Sequence, residues 1–261
     1  MNILETIIAA KKKEVAERKL LVSTGYLEKS KFFERETLSL KQFLLEESKT
    51  GIIAEFKRKS PSKGIINDTA SVEEVTKAYT ENGASCLSVL TDEYFFGGST
   101  DDLIAARVND IPILRKDFII DAYQIVEAKS MGADVILLIA ANLSVPEVKR
   151  LAGFAKQMGL EVLLELHGEE ELEHICDETN IVGINNRNLK TFEVNIERSL
   201  RMAEKIGAEK TKVAESGIGS VKNIRLFQQN GFHGFLIGEN FMKEKDPGAA
   251  FKNFVKELGL K

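Results

Sequence analysis

Several short apolar segments of this chain end in side chains that can exchange protons. In the first segment, Glu55 and Lys57 stand two positions apart, which places both on one face of a strand and makes a lysine–glutamate pair possible. Lys116 and Glu165 lie just inside two later segments, where a charge is costly unless it is paired or serves a site. Two more segments end in Asn185-Asn186-Arg187 and Glu215-Ser216-Gly217. A solvated strand end would explain any one of these groups, but their repetition favours acid–base chemistry at a shared site.

A basic run and two glycine turns indicate that the ligand carries a small anion. The run KRKSPSKG (57–64) directly follows the first apolar segment and has no interleaved aromatic residues. A mobile loop whose cations bind a small anion therefore explains the run better than a nucleic-acid patch does. A solvated surface loop is the alternative. The turn Gly217-Ile218-Gly219-Ser220 and Gly238 follow two late segments, where backbone N–H groups and a helix N-terminus can bind phosphate.

The segments that carry these residues alternate with amphipathic stretches. Apolar runs cover 52–56, 86–90, 111–115, 135–139, 162–166, 181–185, 212–216 and 234–238, and helical patterns cover 71–82, 121–131, 146–158, 169–178, 195–206, 220–230 and 247–258. This alternation predicts an α/β fold with a parallel sheet covered on both faces. Eight such units in 261 residues predict a (β/α)8 TIM barrel, whose βα loops build the site. An open doubly wound sheet is the alternative, but no G-x-G-x-x-G follows the first run, so its dinucleotide-binding form lacks support.

The first 50 residues show helical patterns without the alternating apolar runs of the rest of the chain. Apolar residues between Ile3 and Val15 recur at helical spacing, and Asn2 with Glu5 three residues later is typical of a capping box. Ser39 with Gln42 announces a second helix by the same logic. We therefore expect a single domain over 1–261, with a helical extension at 1–50 and the barrel at 51–261. The start of the chain lacks the pattern of a signal peptide.

Composition narrows the class of partner. The 36 Lys and Arg against 40 Asp and Glu give a net charge of −4, which does not favour nucleic acid or an anionic membrane. Cys86 and Cys176 form no CxxC motif and are expected to be reduced thiols of a cytoplasmic protein. Three scattered histidines predict no metal site, although His167 at the end of a run could support the site residues indirectly. We expect an enzyme that acts on a small-molecule substrate, needs no cofactor and is a monomer.

At the candidate site residues, the sequence closely resembles the indole-3-glycerol-phosphate synthase family. The matching segments, which span essentially the whole chain, are IIAEFKRKSPSKG (52–64), LTDEYFFGGS (90–99), PILRKDFIID (112–121), LLELH (163–167), GINNRNL (183–189), AESGI (214–218) and GFLIG (234–238). The resemblance implies ring closure, decarboxylation and dehydration of 1-(o-carboxyphenylamino)-1-deoxyribulose 5-phosphate. It also implies that the N-terminal extension packs near the barrel mouth and helps to cover the substrate.

The resemblance further implies a role for each candidate residue. Lys116 is the general acid that protonates the substrate ketone, Glu165 is its acid–base or electrostatic partner, and Lys57 with Glu55 completes the site. Which lysine donates in each acid step is open, because two coupled ammonium groups can exchange roles. Residues implied to contact or orient the substrate are Ser60, Asn185, Arg187, Glu215 and Ser216. Residues implied to form the apolar wall for the anthranilate ring are Phe96, Phe118, Pro61, Leu137 and Leu236, of which Leu137 and Leu236 would serve almost equally well as ordinary core.

The phosphate end departs from the family pattern. Gly217 and Gly238 are implied to face the phosphate, but Glu239 follows Gly238 where a serine is usual. Since a carboxylate repels phosphate, we expect Glu239 to offer only its backbone N–H and to turn its side chain away. Phosphoribosylanthranilate isomerase, a sister barrel enzyme, would share the phosphate site without explaining the two lysine–glutamate pairs. A non-catalytic barrel that binds a sugar phosphate is the alternative from another class.

Overall fold

The computed structural model describes residues 3–188 and 193–259, and its centre is a closed barrel of eight parallel strands. We number them β1 (Ile52–Phe56), β2 (Cys86–Leu90), β3 (Ile113–Lys116), β4 (Val135–Ile139), β5 (Glu161–Leu166), β6 (Ile181–Asn185), β7 (Thr211–Glu215) and β8 (Phe232–Ile237). Each strand pairs with the next along the chain, and β1 closes the barrel against β8 with Ile53 opposite Leu236. The (β/α)8 fold expected from the apolar runs is confirmed.

Side-chain alternation divides the apolar residues between the barrel interior and the layer under the helices. Ile53, Leu114, Leu163 and Val213 belong to one buried cluster inside the barrel, whereas Ile52 belongs to the larger outer cluster. Because side chains on a strand alternate between its two faces, the residue two positions later also points inward, nearer the carboxyl end. In these four strands that residue is a candidate for the site: Glu55, Lys116, Glu165 and Glu215.

Helices surround the barrel, and their starts follow local capping rules. After β1 they cover Val72–Glu81, Glu93–Phe96, Thr100–Ala106, Ala122–Met131, Val145–Gln157, Ile196–Glu204, Val221–Gln229, Glu239–Met242 and Pro247–Leu258. Six of them begin after a residue whose side chain accepts the backbone N–H three positions on: Ser71, Asp92, Ser99, Asn195, Ser220 and Asp246. Such caps fix where each βα loop ends and hence where its side chains point.

One predicted helix is wrong in length and type. The stretch 169–178 forms only a 3-10 helix, Glu169–His174. Glu169 and Glu173 stand four positions apart, where like charges disfavour an α-helix. The Glu171 carboxylate, moreover, accepts the backbone N–H of His167, which precedes the 3-10 helix, at 2.6 Å.

The basic loop after β1 also has more structure than expected, since Lys59–Ser60 pairs antiparallel with Gly64–Ile65.

Residues 3–51 contain three helices: α1 (Ile3–Leu21), α2 (Thr24–Leu27) and α3 (Leu40–Leu45). Leu40 and Leu44 of α3 are buried in the same cluster as the barrel interior. Ser39 begins α3 and accepts the N–H of Gln42, as its spacing predicts. The proposed cap of α1 involves Asn2, which lies outside the described residues. Within 3–188 and 193–259, no helix is both long and apolar enough to cross a membrane.

Candidate active site

A cavity of about 370 Å³ opens at the carboxyl ends of the strands. The βα loops and strand ends that line it carry all the residues proposed from the sequence except Leu137. These lining residues are Glu55, Lys57, Ser60, Pro61, Phe96, Lys116, Phe118, Glu165, Asn185, Arg187, Glu215, Ser216, Gly217, Leu236, Gly238 and Glu239. Leu137 is instead fully buried in the interior cluster below the cavity.

The first charged pair of the cavity joins Lys57 to Glu55, whose Nζ and Oε1 atoms are 2.6 Å apart. The i, i+2 spacing at the end of β1 brings both side chains to the same face, as the sequence indicates. Burial by itself raises the pKa of Glu55, but the Lys57 and Lys116 ammonium groups outweigh it and lower that pKa. Gly238 leaves the necessary room, because a Cβ there would lie 2.6 Å from Glu55 Oε1.

The second pair joins Lys116 at the end of β3 to Glu165 on β5, with 3.8 Å between Nζ and Oε2. Asn185 donates to the other oxygen, Glu165 Oε1, at 3.0 Å. Burial alone lowers the pKa of Lys116, but the Glu165, Glu55 and Glu215 carboxyl groups raise it above its ordinary value. Burial raises the pKa of Glu165, yet Lys116 and the groups around Oε1 hold it well below its usual range. Lys116 is therefore an ammonium ion facing an ionised Glu165.

Glu215 lies at the end of β7, and its pKa is shifted in the direction opposite to that of Glu165. Burial and the neighbouring Glu165 carboxylate raise the pKa of Glu215 well above its ordinary value, which favours its protonated form. Gly183 on β6 makes space for this side chain, since a Cβ there would overlap Glu215 Oε1. The site thus combines a carboxylate, which can accept a hydrogen bond, with a carboxyl group that favours its acid form, which can donate one.

An aromatic pair forms the apolar side of the cavity. The rings of Phe96 and Phe118 have centroids 5.9 Å apart. Helix α1 adds Ile3, Leu4 and Ile7 to the same lining. The sequence predicts that this segment is a helix. Which of its residues contact the cavity depends on the orientation of α1 relative to the barrel, and residue spacing within one helix does not determine that orientation.

The opposite end of the cavity carries the glycine turn after β7. Ser216 and Gly217 have φ values of 66° and 69°, so two successive residues adopt the left-handed conformation. This conformation costs energy at a serine, and the buried Asn186 stabilises it by donating to the Ser216 carbonyl at 2.7 Å. Consecutive backbone N–H groups in such a turn form a concave site that favours anions.

Glu239 lines this end of the cavity, at the start of the short helix after β8. Its two carboxylate oxygens lie 3.8 Å from Lys63 Nζ and 3.8 Å from Arg187 Nη2. The side chain is 39% exposed, so these pairs are weak. They nonetheless link the first and sixth βα loops across the mouth.

Lys11 of α1 is a buried cation that sequence reasoning missed. Its Nζ lies 3.0 Å from Asp92 Oδ2 and 3.0 Å from Asp117 Oδ1, and the side chain is 1% exposed. Asp117 directly follows Lys116, and Asp92 caps the helix that carries Phe96. The available signal was a lysine four residues after Ile7 in the apolar stripe of α1, a position where a charge requires a buried partner.

Within the described ranges, no group of three or more His, Cys, Asp or Glu side chains is arranged to hold a metal ion.

The sequence model described as "Indole-3-glycerol phosphate synthase" matches residues 4–254. The chain belongs to this family. The indole-3-glycerol phosphate synthase of Bacteroides thetaiotaomicron is 47% identical over 258 residues, which cover 98% of this chain and 99% of that relative. The synthase of Chromobacterium violaceum is 42% identical over 254 residues, with 95% and 96% coverage. Membership confirms the resemblance seen in the motifs, and it makes the chain an enzyme of tryptophan biosynthesis.

Comparison of structures supports the fold alone. A chain of the tryptophan synthase complex from Pyrococcus furiosus superposes with a TM-score of 0.60 at 18% identity, covering 80% of this chain and 98% of that one. Thiamine phosphate pyrophosphorylase from Pyrococcus furiosus gives 0.56 at 17% identity, with 80% and 94% coverage.

Proposed function

We propose that the cavity binds 1-(o-carboxyphenylamino)-1-deoxyribulose 5-phosphate and converts it into indole-3-glycerol phosphate, carbon dioxide and water. The observation that carries this proposal is the meeting of two ammonium–carboxylate pairs, Lys57–Glu55 and Lys116–Glu165, between an aromatic wall and an anion-binding turn. A substrate with an aromatic ring at one end, a ketone in the middle and a phosphate at the other matches that order of groups.

Ring closure requires a proton on the ketone. The aromatic carbon that bears the carboxylate attacks the carbonyl carbon, a carbon–carbon bond forms, and the carbonyl oxygen takes a proton to become a hydroxyl. The Lys116 ammonium supplies this proton in our proposal, since its raised pKa keeps it charged and it lies deep in the cavity. The intermediate carries positive charge next to the ring nitrogen, which the ionised Glu165 stabilises.

The two following losses use the same groups. When carbon dioxide leaves, the electron pair of its bond to the ring restores aromaticity, so no external electron sink is needed. The new hydroxyl then leaves as water after a second protonation, and the proton lost from the neighbouring carbon returns to an amine that has donated, which completes the indole. Lys57 and Lys116 are the two proton donors of the proposal, and as coupled ammonium groups they can exchange roles between the steps.

The remaining residues are proposed to hold the substrate. Backbone N–H groups around Gly217 and Gly238, together with the start of the helix at Val221, receive the phosphate. Ser60, Asn185, Arg187, Glu215 and Ser216 orient the ribulose part and the carboxylate, while Phe96, Phe118, Pro61 and Leu236 contact the ring. Leu137 supports this wall from below. Glu239 contributes its backbone N–H to the phosphate site.

We further propose that the enzyme acts in the cytoplasm as a monomer and needs no cofactor. Two free thiols support the location: Cys86 is buried, and Cys176 is partly exposed and unpaired with any cysteine. The small phosphorylated substrate is the only partner that the cavity requires.

The decisive experiment measures the fluorescence of the indole product formed from the carboxyphenylamino substrate. Wild-type enzyme should turn over, and Lys116→Ala should lose at least about 100-fold in kcat while it folds and binds product normally. Lys252→Ala, at an exposed lysine away from the cavity, is the control and should behave as wild type. An inactive wild-type chain that instead isomerises phosphoribosylanthranilate would overturn the proposal. Near-normal turnover by Lys116→Ala would remove Lys116 from the mechanism.

A further inference from the structure

His167 is a nearly buried imidazole that the proposed mechanism does not use. It follows β5, two positions after Glu165, so strand geometry directs both side chains to the same face. Its Nε2 atom lies 3.0 Å from Glu165 Oε1. On its other side, Glu171 Oε2 lies 3.8 Å from the ring Nδ1 and accepts the backbone N–H of His167 at 2.6 Å. The ring is thus placed between two carboxylates.

The contacts of Glu165 are divided between its two oxygens. Oε1 faces His167 and receives the hydrogen bond from Asn185. Oε2 lies 3.8 Å from the Lys116 ammonium. A carboxylate held at one oxygen in this way presents the other in a fixed direction. Oε2 is thus the oxygen that faces the amine proposed to move protons.

We infer that His167 is a positioning residue for Glu165, a role that rests on the proposed function. Anchored by Glu171, it holds Glu165 Oε1 so that Oε2 faces Lys116 and the substrate. It also decides which of two neighbouring carboxyl groups is ionised. A cation beside Glu165 places the negative charge there and leaves the proton on the neighbouring Glu215 of β7.

The charged groups around the ring agree with this role. Glu165 and Glu171 face His167 directly, Glu215 faces it from β7, and Lys116 faces the far side of Glu165. Burial alone lowers the pKa of His167, but Glu165 and Glu171 outweigh it and raise the pKa to about 9. The ring is consequently an imidazolium ion at neutral pH, which a neutral side chain cannot replace.

The kinetic test compares His167→Gln, which keeps a hydrogen-bond donor without the charge, with the exposed control His233→Gln. Without the imidazolium, Glu165 Oε1 is held less firmly, so kcat of His167→Gln should fall by about tenfold at pH 7 while KM changes little. Glu171→Gln should lower kcat in the same way but by less. A kcat for His167→Gln equal to that of the control would overturn the inference.

A second measurement reads the ring without turnover. In nitrogen-15 NMR of the imidazole side chains, the signal lost in His167→Gln should be that of a doubly protonated ring at pH 7.5. Glu165→Gln should move its titration to lower pH. A neutral His167 ring in an enzyme with normal turnover would overturn the positioning role alone. Failure of the wild-type enzyme to form the indole product would overturn the proposed function together with it.

Discussion

Two carboxyl groups at the ends of β5 and β7 have pKa values shifted in opposite directions, and only the upward shift is costly for folding. Burial and Glu165 raise the pKa of Glu215 above its ordinary value of 4.5, so the folded protein holds this proton more tightly than the unfolded chain does. Between the two pKa values the folded state therefore binds more protons, and stability falls as the pH rises from 4.5 towards the raised pKa. A group retained in this position at a cost in stability is typical of an active site.

This asymmetry predicts the behaviour of Glu215→Gln. The amide stays neutral in both states, so the variant should exceed wild type in free energy of unfolding by at least about 1 kcal/mol at pH 8, and the gain should shrink towards pH 5. Urea denaturation at several pH values measures it, with the exposed Glu204→Gln as control. A constant difference across this range would show that Glu215 is ionised in the folded protein. Activity should fall despite the greater stability.

Glu239 gives a prediction about the ligand. Its carboxylate lies near two cations of the mouth, Lys63 and Arg187, and two unit charges about 4 Å apart in water repel or attract by about 1 kcal/mol. In Glu239→Ser, both cations are released to the phosphate and the repulsion disappears. Indole-3-glycerol phosphate should then bind about fivefold more tightly at low salt, and the gain should fade at high salt.

Isothermal titration at two salt concentrations checks this, with Glu244→Ser as a control that removes the same charge outside the cavity. Equal affinities for wild type and Glu239→Ser would contradict this prediction and would mean that the carboxylate turns away from the bound phosphate, which is the orientation expected from the sequence alone.

The residues of the site could be predicted from the sequence because ionisable side chains recur at the ends of several strands. Period-two spacing predicts that Glu55 and Lys57 share a face, and apolar flanks mark Lys116 and Glu165 as unusual. Spacing within one strand, however, does not give distances between strands. The protonation of Glu215 depends on Glu165 and on the space left by Gly183, which belong to two other strands.

At the scale of elements, the strands were predicted within two residues at each end because buried parallel strands are continuous apolar runs. The stretch 169–178 was predicted as a long helix, since its few apolar residues fit helical spacing, but repulsion between its glutamates is a competing effect. The placement of α1 was beyond reach for another reason. It depends on the ion pairs of Lys11 with Asp92 and Asp117, which lie about 80 and 106 residues away along the chain.

Helix α1 is fixed to the barrel by that buried contact. In Lys11→Met, Asp92 loses a cation and Asp117 keeps only Arg115, at 3.0 Å, among its ion-pair partners in the described structure. Breaking a buried pair on one side costs about 3 kcal/mol or more. We expect a loss of that size in urea denaturation, together with a lower kcat because Asp117 adjoins Lys116. Lys12→Met, at an exposed neighbour, should be neutral; equal stability of the two variants would contradict this view of Lys11.

At the scale of the whole molecule, the two ends of the barrel have different tasks. The carboxyl end is open and polar, and α1 lies beside it. The amino end is closed by α3, whose Leu40 and Leu44 enter the interior cluster. The chain before α3 is attached there as well: Arg35 Nη2 and the backbone N–H of Leu38 contact Asp134 Oδ1 at 2.5 and 2.8 Å. Ser39 Oγ donates to Glu161 at 2.7 Å.

The extension therefore consists of two parts that should respond differently to truncation. Removal of residues 1–22 uncovers the mouth and leaves Asp92 and Asp117 short of a cation, but the interior cluster stays intact. We expect a folded barrel with reduced kcat and a stability loss similar to that of Lys11→Met.

Removal of residues 1–45 also deletes Leu40 and Leu44, and losing two fully buried leucines costs about 2–5 kcal/mol each. Because the whole protein has only about 5–15 kcal/mol of stability, the longer truncation should be largely unfolded or aggregated at room temperature. Circular dichroism and thermal denaturation of the two truncated chains separate these outcomes. A 46–261 chain that melts cooperatively near the 23–261 chain would show that α3 covers the barrel without contributing to its core.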